Sequence, residues 1–151
     1  MRYTRIFIVR WADCDVNGHM RNTSYSEYTI DVRMSYLTEH GFPYERFQEL
    51  GIGPVVLREE LDYLRELKLG DTVEADFTQV GMSPDGARCK LAHDFWRPGG
   101  KEVARVVLLL AWMDMKTRRL THPPEDLLRV MTAVPKGEGW EELPPLKRDR
   151  P

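Results

Sequence analysis

The segment from Thr23 to His40 constrains this chain more than any other. Tyr25, Tyr28, Thr29, Val32 and Tyr36 recur at helical spacing, while Ser24, Glu27, Asp31, Ser35 and Thr38 take the opposite side, as in a helix that buries one face. Both ends are signalled. Thr23 or Ser24 can cap the first turn, Glu27 stands three residues after Ser24 as in a capping box, and Gly41 followed by Pro43 supplies the stop. After a linking segment, Phe42 to Gly51, the character changes. Gly70-Asp71, Ser83-Pro84-Asp85-Gly86 and Pro98-Gly99-Gly100 punctuate runs near 54–68, 71–81, 87–97 and 101–115, which predict a meander of long antiparallel strands. Leu61 to Leu69 has some helical character but leads straight into a Gly-Asp turn, so it reads as strand.

Thr4 to Trp11, rich in β-branched and aromatic residues, predicts a first strand. Pro123-Pro124-Glu125 opens a short helix to Ala133. The order of strand, long helix, four strands and terminal helix defines an α+β class, in which a sheet buries one face against a single helix. With 151 residues there is room for one core. We place that domain at 1–134 and expect 135–151, rich in Pro, Gly and charge, to be an exposed or disordered tail.

Composition excludes several classes of function. Lys and Arg number 22 against 24 Asp and Glu, a net charge of −2, so nothing marks a nucleic-acid binder. The longest apolar run, Val106 to Met113, falls well short of the ~20 residues of a membrane span. The N-terminus leads into a run of only four apolar residues, Ile6 to Val9, before Arg10, which does not make a secretory signal. Cys14 and Cys89 form no CxxC pair or disulfide framework. The expectation is a cytoplasmic protein with no membrane partner.

The chemistry concentrates between the first strand and the helix, in Asp13-Cys14-Asp15-Val16-Asn17-Gly18-His19-Met20-Arg21-Asn22. A helix start offers unpaired NH groups and the positive end of the macrodipole, which suit a developing oxyanion, and a neighbouring carboxylate can act as base or nucleophile. Asp13, Asp15, Asn17 and Gly18 imitate the opening of an EF-hand loop. Arg21 at the ninth position and Ser24 at the twelfth, where a bidentate Glu belongs, break the motif. Asp13, Asp15 and His19 are also a weak set for a transition metal, and neither a metal nor a cofactor is expected.

The run Arg10-Trp11-Ala12-Asp13-Cys14-Asp15, then Asn17-Gly18-His19, Asn22, Tyr25 and a helix with Arg33, resembles the hotdog-fold thioesterases. The likeness is to the 4-hydroxybenzoyl-CoA thioesterase-like family and, at the D-x-D-x-N-G-H loop, to the plant acyl-ACP thioesterases. It covers roughly Tyr3 to Met131. It implies an antiparallel sheet wrapped around a long central helix, acting on thioesters of CoA or acyl carrier protein as a homodimer or a dimer of dimers (homotetramer). It further implies Asp15 as the catalytic carboxylate, Asn17 and His19 as its companions, and the backbone NH of Asn22 or Thr23 as the group that polarises the thioester carbonyl. Asp13 is then a structural companion acid. A thioester lacks amide-like resonance and its thiolate leaves readily, so one carboxylate and an oxyanion-binding NH suffice. Asp15 either attacks the carbonyl or activates water.

Plainer roles compete. Asp13 and Asp15 can satisfy backbone NH groups of the turn, His19 can hold the loop, and the Tyr25, Tyr28, Tyr36 stripe can be core. Glu27 is a reserve base. Tyr25, Arg88 and Lys90 are the substrate-binding candidates, and Arg88, Lys90, Arg97, Lys101 and Arg105 are cations that suit the phosphates of CoA. An exposed strand face, however, is often charged for solubility alone. His93 and His122 have no evident partner. The rival readings are a catalytically silent hotdog protein that binds acyl thioesters, and a dehydratase of the same fold, which the loop position of the acid disfavours.

Overall fold

The computed structural model describes residues 2–147. The long helix α1 runs Asn22–Glu39, and five strands surround it: β1 (Tyr3–Ile8), β2 (Ile52–Tyr63), β3 (Thr72–Met82), β4 (Arg88–Trp96) and β5 (Glu102–Asp114). They pair antiparallel in the order β1-β3-β4-β5-β2. A short strand β6 (Arg119–Thr121) extends β5, and helix α3 (Glu125–Thr132) follows it. The sheet curls around α1 as the resemblance implied. Tyr28 stacks on Phe7 of β1, Tyr36 meets Phe77 of β3, and Tyr25 meets both Phe95 of β4 and Tyr63 of β2. The tyrosine stripe is therefore core, and Val32 at its centre is fully buried.

Three local expectations change. The capping box of Ser24 and Glu27 does not form: Arg21 is the N-cap residue and makes no side-chain cap. The Ser24 hydroxyl is buried and donates instead to the carbonyl oxygen of Asp13 at 3.1 Å, because that carbonyl is taken out of water by the loop folding under the helix. The linking segment contains a second helix, α2 (Tyr44–Leu50), entered from Pro43 and ended by Gly51 at φ +64. This is the Pro-before, Gly-after asymmetry of a helix. The strand near 54–68 stops at Tyr63, and the chain crosses to β3 as an irregular connection.

The tail from 135 onward also needs correction, although residues 148–151 lie outside those described. Strand β7 (Lys136–Glu142) adds to the sheet in parallel with the second half of β3. Gln79 of β3 ties it in, accepting from the Trp140 indole NH at 2.8 Å and donating to the carbonyl of Met131 at 2.7 Å. Gly81 permits the approach, since a Cβ there would lie 3.0 Å from the Glu141 carbonyl. The sheet thus continues past the predicted boundary at 134.

Candidate active site

The loop before α1 is a closed hairpin-like turn. Asp15 NH donates to the His19 carbonyl at 2.8 Å, Gly18 NH donates to the Asp15 carbonyl at 3.1 Å, and Cys14 bridges Met20. Gly18 sits at φ +74, a conformation that a side chain resists. Arg21 NH donates to the Asp13 carbonyl, fastening the loop to the helix start.

Asp13 and Asp15 occupy opposite environments. Asp13 is buried beneath the helix. Its carboxylate accepts from the Arg10 backbone NH at 3.0 Å, from Arg10 Nε and Nη2 at 3.1 Å each, and from the Tyr28 hydroxyl. Burial pushes its pKa up, but these donors together outweigh that and hold it at about 2. The same contact, with burial, drives the Tyr28 hydroxyl well above its ordinary value. Asp13 is thus structural, as expected. Asp15 is exposed, and its Oδ1 accepts from the backbone NH groups of Asn17 (2.9 Å) and His19 (3.2 Å). Among the described residues Oδ2 has no protein donor. Asp15 therefore does the turn work that the plainer reading gave it and still presents one carboxylate oxygen.

A cavity of about 290 Å³ opens at the helix start, lined by His19, Asn22, Tyr25, Tyr63, Arg65 and Glu66 among others. It collects three of the residues singled out in the sequence: His19, Asn22 and Tyr25. His19 Nε2 lies 3.3 Å from Glu66 Oε2, and Tyr25, whose hydroxyl has no hydrogen-bond partner among the described residues, is raised to about 12 by burial and by Tyr63, against Arg97. Asp15 and Asn17 stand outside this lining, on the same loop. The Thr23 side chain accepts from Arg21 Nε at 2.9 Å. The backbone NH groups of Asn22 and Thr23 have no acceptor among the described residues, which leaves them available to an oxyanion.

The structure does not bring Arg88 and Lys90 to this site. Along β4, Leu91 and His93 face α1 and Phe95 meets Tyr25, so Arg88 and Lys90 project from the other face. Lys90 pairs there with Glu141 of β7 at 2.7 Å. The alternation of Cys89, Leu91 and Phe95 with Arg88, Lys90 and Asp94 already carried that information. Sequence reasoning missed Tyr63, Arg65 and Glu66, which reach the helix start only because β2 ends beside it. Lys68, also missed, bridges His19, and Arg97, one of the cations considered for the CoA phosphates, lies here as well, donating to the Glu66 carbonyl and pairing with Asp71 at 3.4 Å. Ser83, Asp85 and His122 also come together, with Ser83 Oγ donating to Asp85 Oδ1 (2.6 Å) and His122 Nε2 at 3.0 Å from Asp85 Oδ2. The acid lies between serine and imidazole, so the imidazole does not reach the hydroxyl and the three are not ordered as a Ser-His-Asp triad. Among the described residues no group of His, Cys, Asp and Glu is placed to hold a metal ion, and no helix is long and apolar enough to cross a membrane.

A sheet wrapped around one helix, with an acidic loop at the helix start, defines a hotdog-fold protein. Residues 9–131 match the model of the Thioesterase-like superfamily, and the chain belongs to that family. A Staphylococcus aureus protein whose structure was determined in complex with CoA superposes with a TM-score of 0.79 at 22% identity, over 90% of this chain and 87% of that one. A 1,4-dihydroxy-2-naphthoyl-CoA thioesterase from Synechocystis gives 0.78 at 13% identity, over 88% and 97%. YbaW of Escherichia coli, a probable thioesterase, gives 0.74 at 21% identity, over 89% and 99%. A curated Aquifex aeolicus relative, provisionally named an esterase, is 27% identical over 75 residues, half of this chain and 59% of its own length.

Proposed function

We propose that this protein hydrolyses an acyl-CoA or aryl-CoA thioester to the free acid and CoA thiol. The observation that carries this reading is the uncapped start of α1, whose Asn22 and Thr23 NH groups stand beside a cavity walled by His19, on the loop that pins Asp15 with one oxygen free. The thioester carbonyl oxygen accepts from these NH groups, which stabilise the charge of the tetrahedral intermediate. Asp15 takes the proton of an attacking water, or attacks to give a mixed anhydride that water then opens. The thiolate leaves and is protonated. His19 and Asn17 orient water or the thioester, and Arg65, Lys68 and Arg97 suit the phosphates of CoA better than Arg88 and Lys90 do.

The working unit in this reading is a dimer, or a dimer of dimers. Strand β2 pairs only with β5, and twelve residues of its other edge are free among the described residues. Val56, Leu57 and Tyr63 are exposed along it. Such an edge is normally covered, and a second copy of β2 would do so. Cytoplasmic acyl-CoA, in a compartment that keeps Cys14 and Cys89 reduced, is the matching substrate pool.

The test is thiol release from a panel of acyl-CoA, aryl-CoA and acyl-carrier-protein thioesters, with chelator present and absent. Turnover that survives chelation is expected, and Asp15→Asn should lower it about 100-fold or more while circular dichroism stays native. Binding of CoA thioesters without thiol release would instead identify a silent acyl-thioester binder.

A further inference from the structure

Arg33 is a cation held inside the domain without an acid. It is 7% exposed, and its Nη1 donates to Thr29 Oγ1 at 3.0 Å and lies 3.4 Å from His93 Nε2. His93 is fully buried, stacks on Phe77, and places Nδ1 2.8 Å from the Asp76 carbonyl oxygen. A carbonyl only accepts, so Nδ1 carries the proton and Nε2 offers its lone pair to the guanidinium. Thr29 and His93 thus fix one end of Arg33. Among the described residues no acceptor is placed on Nε or Nη2, and no carboxylate makes an ion pair with it. Glu59, on the face of β2 turned toward α1, reaches Arg33 with its charge but not by contact.

The unused edge of this guanidinium faces space. A cavity of about 220 Å³ is lined by Ile30, Met34, Leu37, Val56, Leu110 and Trp112, among other apolar side chains, and among the described residues Arg33 is the one charged group in its wall. Few polar groups in an apolar pocket are the make-up of a ligand site, and a lone buried cation opposes folding unless something it binds compensates. The cavity lies farther along α1 than the candidate active site, with which it shares no lining residue. Asn22, Thr29 and Arg33 share one face of α1, and β2 borders both cavities, with Tyr63 against Tyr25 in one and Val56 in the wall of the other. Thr29, beside the guanidinium, is seven residues beyond Asn22, about 10 Å along the helix.

We propose that Arg33 receives a carboxylate at the far end of the acyl group, through its Nε and Nη2 donors, so that the preferred substrates are mono-CoA thioesters of medium-chain dicarboxylic acids. A planar carboxylate matches this fork with two parallel hydrogen bonds, whereas a terminal methyl leaves it unpaired. Thr29 and His93 are positioning residues. The inference rests on the thioesterase reading for its kinetics but not for its binding.

Two measurements separate the two ideas. The first compares kcat/KM for octanedioyl-CoA and octanoyl-CoA, with shorter and longer pairs alongside. The dicarboxylic thioester should be preferred by about tenfold or more, the discrimination that one buried charge-assisted pair supplies. Arg33→Met should bring the ratio close to one, and Arg33→Lys, which keeps charge without the fork, should fall between. The second is calorimetric titration of the wild-type protein with free octanedioate and free octanoate, where the diacid should bind more tightly and lose part of that advantage in Arg33→Lys. Equal kcat/KM for the two thioesters together with equal binding of the two acids overturns the assignment of Arg33 and leaves the thioesterase reading standing. Selective diacid binding with no thiol release from any thioester overturns the thioesterase reading alone. If Arg33→Met does not fold, the wild-type ratios and Arg33→Lys still decide the matter.

Discussion

Asp13 and Asp15 are two positions apart and chemically identical, yet the fold gives one to structure and leaves the other an open oxygen. Replacing them should separate the roles. Asp13→Asn removes the acceptor of Arg10 and Tyr28 and should cost about 2 kcal/mol or more of stability in urea denaturation. Asp15→Asn keeps an oxygen for the Asn17 and His19 NH groups and should leave the urea midpoint nearly unchanged while abolishing turnover. Acid should expose the buried groups in sequence. Burial, reinforced by the Arg33 charge and only partly opposed by the Asp76 carbonyl, lowers His93 from 6.5 to about 3. Below pH 6.5 the unfolded chain therefore binds a proton that the folded protein refuses, and stability falls as pH drops from there toward 3. Asp13 adds stability that is whole above about pH 4 and is lost as pH falls toward 2. His93→Gln should flatten the urea midpoint between pH 6.5 and 4 and keep the steeper loss below; an unchanged slope would remove His93 as its source.

At the scale of elements, β7 is held by side chains more than by its own propensity, since Lys-Gly-Glu-Gly-Trp-Glu-Glu has little of a strand former in it. Gln79→Leu should cost about 2 kcal/mol, because it strands both the Trp140 indole NH and the buried Met131 carbonyl. Trp140→Phe removes only one of these bonds and should cost less, a difference that a denaturant series resolves. The α1 helix and the meander were legible because periodicity and turn residues are local signals. Strand β7 was not, because what makes it a strand is Gln79, more than fifty residues earlier. Helix α2 was signalled by Pro43 and Gly51 and passed over as a link. In the site, the loop and helix start were readable from one stretch of sequence. Arg65 and Lys68 come from the β2–β3 connection, which reaches α1 only through the closure of the sheet, so no spacing rule could deliver them. Arg33 was visible as a helix residue, but its lack of an acid is a property of the packed core.

For the molecule as a whole, the proposed dimer would make the uncovered edge of β2 an interface on which function depends. Leu57 lies at the register shift between Val56 and Arg58, and both it and Val56 are exposed. Val56→Glu with Leu57→Glu should yield monomers in sedimentation and a large loss of turnover, and a variant that stays dimeric and active would place the interface elsewhere. The pairing order has a further result for how the chain is made. β1 must wait for β3, and β2 for β5, so both early strands leave the ribosome long before their hydrogen-bonding neighbours exist. In that interval α1 and α2 can form on local contacts, but the sheet that buries the α1 tyrosines is still incomplete. The newborn chain therefore passes through a stretch of synthesis, ending near residue 114, in which β2 is complete but its pairing partner is not. A slowed ribosome or a scarce holding chaperone would do more harm there than anywhere later in the chain.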